Sequence, residues 1–214
     1  MLLKSGNAWL LLLLSVNFWL VPALPSASAE DPLADWLLVV TLLVAVAVQV
    51  AASPSFRRWG LVAAIVILAA IGLGEALPNT NYVENTVFAI SFAVATALYF
   101  MTMMQRLHDV TFGTVLAGAC AYIFIGMFFA AIFGLLLELD PSAFSGSDAI
   151  LGRYDMLYFS FASLTTLGAV DVFPVSTLAK MLTVFEAVIG LVYVASLVGV
   201  VVGAYAAKIQ GQRR

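Results

Sequence analysis

The stretch from Asp155 to Phe185, DMLYFSFASLTTLGAVDVFPVSTLAKMLTVF, constrains this chain more than any other. It opens with an apolar, aromatic segment of about twelve residues, which as a helix is roughly 18 Å long against a hydrocarbon core of about 30 Å. Such a helix is too short to cross and must dip in and return. At its C-terminal end stand Thr165, Thr166, Leu167, Gly168, Ala169, Val170 and Asp171, a run of small residues that reads as extended chain, then Pro174 and a long apolar helix. Backbone without helix or sheet partners survives at membrane depth only where protein buries it or water-filled space adjoins it. The stretch reads as the wall of a pore.

The membrane setting follows from composition. With 64% hydrophobic and 10% charged residues and a mean hydropathy of +1.09, the chain has too little polar surface for a soluble globule. No basic face for nucleic acid is present. The single cysteine, Cys120, lies in an apolar segment and can form no intrachain disulfide.

The segment SFASLTTLGAVD resembles the pore helix and selectivity filter of the tetrameric potassium-channel superfamily, whose usual filter reads T-V/L-G-Y-G-D. Thr166, Leu167, Gly168 and Asp171 match that pattern, Ala169 stands at the aromatic position, and Val170 stands at the second glycine. The following PVSTLAKMLTVFEAVIGLVYVASLVGVVVGAY resembles the inner helix of small bacterial channels that carry four apolar segments before the pore and no cytosolic domain. The resemblance implies an all-α membrane protein with six transmembrane helices and a re-entrant pore helix and filter between the last two. It implies a homotetramer whose filter residues, 165 to 171, conduct a monovalent cation, with potassium expected. The carbonyls of Thr166, Leu167, Gly168 and Ala169 would ring the ion, the Thr166 hydroxyl would form the innermost ring, and Ser163 and Thr165 would pack behind. No bound cofactor is implied beyond the permeant ion.

Two departures bear on selectivity. The family's second glycine usually takes a backbone conformation that a β-branched residue resists at a cost of about 1–2 kcal/mol, and that position is Val170. Ala169 also lacks the aromatic ring that would hold the filter at width. The expectation is a pore with fewer ion sites and weaker preference for potassium over sodium. The alternative is a non-conducting or heteromeric membrane subunit that keeps the fold with a degenerate filter, assembled with a related channel subunit.

Five apolar blocks follow the first thirty residues: Trp36 to Ala52, Trp59 to Leu77, Val83 to Met104, Phe112 to Leu137 and Leu178 to Ala207. Each approaches or exceeds the length of a membrane span. Residues 1–29 have two readings. Lys4, the leucine run and Ala27-Ser28-Ala29 suit a cleaved signal peptide, which leaves five spans, while Ala8 to Leu24 suits a retained first helix. Residues 30–109 then form scaffold helices, 110–207 the pore domain of outer helix, turret, pore helix, filter and inner helix, and 208–214 a short tail. Of the nine basic residues, Lys4, Arg57, Arg58, Arg106, Lys208, Arg213 and Arg214 fall on one side and Arg153 and Lys180 on the other. The positive-inside rule puts the first set, and the tail, in the cytoplasm of a bacterial-style plasma (inner) membrane crossed several times. Acidic residues, among them Glu30, Asp140, Asp148 and Asp155, then face outward and give the pore an external mouth that attracts cations.

Candidates for gating lie in the last helix. Gly190 is either a hinge or a site of close helix packing, and Gly199 and Gly203 follow on nearly the same face. Glu186 is the one ionisable residue well inside that helix, where a carboxylate is a functional candidate by default. It reads either as a proton-sensitive partner of the pore loop or as a satisfied structural acid. The Val83 to Met104 block has no arginine ladder and so little charge to move in a membrane field. His108 reads as a solvated loop residue. No paired histidines, Cys-x-x-Cys, phosphate loop or serine elbow supports an enzyme.

Overall fold

The computed structural model of the chain describes residues 80–105, 111–146, 151–168 and 171–212, with residue 10 and scattered positions in 40–48 and 61–68. The choice between signal peptide and first helix, and most of the blocks beginning at Trp36 and Trp59, fall outside these residues. So do Ala169, Val170, Arg106 and His108.

Four helices and a small hairpin make up the continuous part: α1 (Thr80–Gln105), α2 (Phe112–Leu139), β1 (Phe144–Gly146), α3 (Arg153–Leu164), β2 (Val172–Pro174) and α4 (Thr177–Gln212). Two helices among the described residues are long and apolar enough to span a bilayer, α2 and the Thr177–Gly203 part of α4, and Thr86–Met101 is a shorter apolar stretch within α1. α3 has 12 residues. At 1.5 Å per residue that is about 18 Å, half a crossing.

α2 is the central strut. Thr111 caps its start, taking the Thr114 N–H on its hydroxyl while its own N–H donates to Thr114 Oγ1 at 3.3 Å. Asp140 ends it, donating its N–H to the Leu136 carbonyl and accepting the Ser142 N–H and hydroxyl on Oδ1 at 3.0 and 2.6 Å. Pro141 cannot continue the helix. One side of α2 packs on α1 through Phe88, Phe92, Tyr99, Cys120 and Phe124, and Tyr99 donates to the Ala45 carbonyl. The other side packs on α3, β1 and α4 through Phe129, Phe133, Phe144, Phe159 and Val172.

That second core holds α3 along its length, through Met156, Phe159 and Leu164. Phe133 of α2, Phe144 of β1 and Phe159 of α3 form a triangle of edge-to-face rings with centroids 5.1, 5.4 and 5.7 Å apart. Each such pair contributes about 0.5–1.5 kcal/mol beyond its buried area. At its first residue α3 also reaches the scaffold, because the Arg153 guanidinium lies over the Phe88 ring at 5.4 Å.

The expected turret, Leu139 to Tyr154, does more than loop out. Its β1 strand pairs antiparallel with β2, Gly146 opposite Val172 and Phe144 opposite Pro174, and the Ala143 carbonyl accepts the N–H groups of Val175 and Ser176. The chain entering α4 is thereby zipped to the chain entering α3. Proline is tolerated in β2 because the hairpin has only edge strands. Ser176 then caps α4 through its hydroxyl and the Ala179 N–H.

Candidate functional site

α3 starts and stops at defined points. The Gly152 N–H donates to Asp155 Oδ2 at 2.7 Å, and Asp155 places negative charge in the first turn, where the helix dipole favours it. At the other end the chain reverses. Thr166 N–H donates to Ser163 O at 3.0 Å, and Leu167 N–H to Ala162 O at 2.8 Å. This pair of bonds is a Schellman cap, which requires a left-handed residue between helix and exit strand. That residue is Thr166, at φ 58°. Glycine is the usual occupant, and a β-branched residue held there is strained by about 1–3 kcal/mol. Gly168 is left-handed as well, at φ 69°, with Leu167 of ordinary sign between them.

The same hydrogen bonds orient the carbonyls. Thr166, Leu167 and Gly168 all turn their N–H groups back onto the last turn of α3, the third through a 3.4 Å bond to Ala162 O. In a trans peptide the N–H and the preceding C=O point in opposite directions, and no described peptide is cis. The carbonyls of Thr165, Thr166 and Leu167 therefore point away from α3. Residues 165–168 are exposed in the protomer, Leu167 by 63%. Three successive carbonyls are thus turned away from α3 within an exposed turn.

The site residues expected from sequence fall into three groups. Thr165, Thr166, Leu167 and Gly168 are together in this turn, and Asp171 is exposed at its far end, ahead of β2. The outward set derived from the hydrogen bonds includes Thr166 and Leu167 and adds Thr165. The carbonyl of Gly168 shares its peptide with Ala169, outside the described residues. The Ser163 and Thr165 hydroxyls donate back into α3, to Phe159 O and Phe161 O.

Glu186 and Gly190 lie behind α3. Glu186 is fully buried, with Oε1 2.5 Å from the Ser160 hydroxyl. At Gly190 a side chain would collide with the Leu164 carbonyl, so α4 and α3 touch backbone to backbone there. Close packing, one of the two readings of Gly190, is thus present. Gly199 and Gly203 have open space where a methyl would stand. Sequence reading passed over two residues here. Tyr122 of α2 donates its hydroxyl to Leu164 O at 3.1 Å, and Ser160 bridges three helices. The signal was available for Ser160, because a lone serine on the buried side of an apolar helix needs a polar partner and Glu186 needs one too.

Residues 120–207 match a family model described as ion channel. The match covers most of α2, the hairpin, α3, the turn at 165–168 and most of α4. It supports a membrane channel and a transport role rather than an enzymatic one. Comparison with curated proteins and with solved structures found no match. Among the described residues no cluster of His, Cys, Asp and Glu could hold a metal.

Proposed function

We propose that the chain is one subunit of a homotetrameric, pore-loop channel that passes monovalent cations, potassium foremost, down their gradient across a bacterial-type plasma membrane. The observation that carries this reading is the row of carbonyls from Thr165, Thr166 and Leu167, turned away from α3 in an exposed turn after a half-membrane helix. Four copies around an axis stack these into rings that replace the water shell of a dehydrated ion. Oxygens of this kind are neutral, and no carboxylate lies between Thr165 and Val170. Divalent ions, which favour carboxylate-rich or well-hydrated sites, are therefore poorly served.

The outward face of α4 supports assembly. Leu178, Met181, Phe185, Val188, Leu191 and Val198 are all more than half exposed in the protomer. In the tetramer this face meets lipid, the neighbouring inner helices and the cavity below the filter. Ala169 and Val170 replace the usual aromatic and glycine, so ion sites beyond Gly168 are fewer and discrimination against sodium weaker.

Purified protein in liposomes tests the reading through flux under separate potassium and sodium gradients, with a Thr166→Cys variant exposed to a thiol reagent. Potassium-preferring flux lost on modification is the expected result. Equal fluxes would indicate a widened pore. A confirmed tetramer without flux would sink the homomeric channel and leave the non-conducting or heteromeric subunit.

A further inference from the structure

Two buried polar side chains meet behind the pore helix, and ion conduction as described makes no use of them. Ser160 Oγ lies 2.7 Å from the Gly126 carbonyl of α2 and 2.5 Å from Glu186 Oε1 of α4, and both side chains have no exposed surface. A hydroxyl carries one hydrogen. It cannot donate to both acceptors, and with an ionised carboxylate one of the two contacts would set lone pair against lone pair. Both are satisfied when Glu186 is the neutral acid, donating to Ser160, which donates to Gly126. The buried Oε2 has no hydrogen-bond partner, a position far more costly for half of a negative charge than for a neutral carbonyl oxygen.

The register of the three helices gives this contact leverage. One turn below Ser160 on α3 is Leu164, one turn below Glu186 on α4 is Gly190, and one turn from Gly126 on α2 is Tyr122, each step being four residues. Gly190 lies against the Leu164 carbonyl and Tyr122 donates to it. The pore helix is thus held from behind in two layers, and the lower one ends on the residue before Thr165, whose carbonyl opens the outward row.

We propose that Glu186, as a neutral acid, is a positioning residue that ties the inner helix to the pore helix through Ser160, so that α4 sets the geometry of the carbonyl row and hence ion selection. The proposal rests on the pore reading above. A displacement of α4 near Gly190 carries the pore helix with it, and the filter responds.

The test is the ratio of potassium to sodium flux in liposomes for the wild type, Glu186→Gln, Glu186→Leu, Ser160→Ala and the Glu186→Leu/Ser160→Ala pair. Glutamine has the same shape and an N–H donor, so its ratio stays within about twofold of wild type, whereas the leucine and alanine variants each shift it about fivefold or more, as loss of a buried hydrogen bond implies. Because both break one tie, the double variant shifts it no further than either alone. An unchanged ratio in Glu186→Leu, equal damage from Glu186→Gln, or additive effects would overturn the tie. Should Glu186→Leu fail to assemble, Ser160→Ala, which removes one oxygen and leaves the volume nearly unchanged, carries the same comparison. Infrared spectra of glutamate-labelled protein give a readout independent of flux: the carbonyl band of a protonated acid is present in wild type and lost in Glu186→Gln. Flux with no such band, and an unchanged ratio in Glu186→Leu, overturns the tie alone. A band without flux in wild type overturns the pore reading, and with it the role of the tie in selection.

Discussion

Thr166 occupies a backbone position that helix ends usually give to glycine, at φ 58°. A side chain kept under such strain points to a use for it, and the proposed tetramer, where four copies of the exposed turn would surround an ion, would supply one. Gly168, at φ 69°, presents the opposite case. Nothing lies within 4 Å of where its Cβ would stand, so crowding does not explain the glycine and the left-handed backbone does. Gly168→Ala should therefore lower the stability of the assembled protein by about 1–2 kcal/mol per subunit through the backbone alone, seen as a reduced thermal midpoint. Gly199→Ala is the control. That glycine is helical and equally open in the protomer, so alanine should stabilise by up to about 1 kcal/mol. Destabilisation at 199 would mean that a neighbouring subunit fills the space.

α3 is fixed along its length by different means: a cation over a ring at its start, rings and a polar tie in the middle and a backbone contact at its end. Gly190→Ala attacks the last. The added methyl meets the Leu164 carbonyl, which belongs to a helix and cannot swing aside, so a loss of about 1–3 kcal/mol is expected in thermal unfolding. Tyr122→Phe removes only the hydroxyl on that carbonyl and should cost about 0.5–1.5 kcal/mol. The same helix shows what was legible in the sequence. Its shortness was readable because bilayer thickness sets an absolute scale, and its end at a small-residue run was readable because irregular backbone in a membrane demands a reason. The hairpin was not. Phe144-Ser145-Gly146 is too short to alternate visibly, and its pairing with Val172-Phe173-Pro174 is a long-range event that no local pattern announces. The Schellman cap was hidden for a related reason, since threonine stands where the cap's usual glycine signal would be.

At the scale of the molecule, the apolar blocks of α2 and α4 announced a membrane protein, while the partners of the exposed face of α4 were not written in any one chain's pattern. Charge is more readable at this scale, because it acts through space. Asp171 is exposed and leads into β2, a strand clamped to β1 by antiparallel pairing. Its place is therefore held by backbone pairing, and in the proposed tetramer four copies would ring the entrance. A ring of carboxylates concentrates cations there and raises the rate of entry, over a range of about 30 Å at 0.01 M salt but only about 8 Å at 0.15 M. Asp171→Asn should accordingly reduce cation flux severalfold when the outer solution is dilute and much less near physiological ionic strength. Liposome flux at the two ionic strengths measures this directly. The salt dependence separates the mouth charge from the filter, because a variant that deformed the carbonyl row would lose flux equally at both. An effect that persists undiminished at high salt would place Asp171 within the conducting row itself, and no effect at either would remove it from the ion's path.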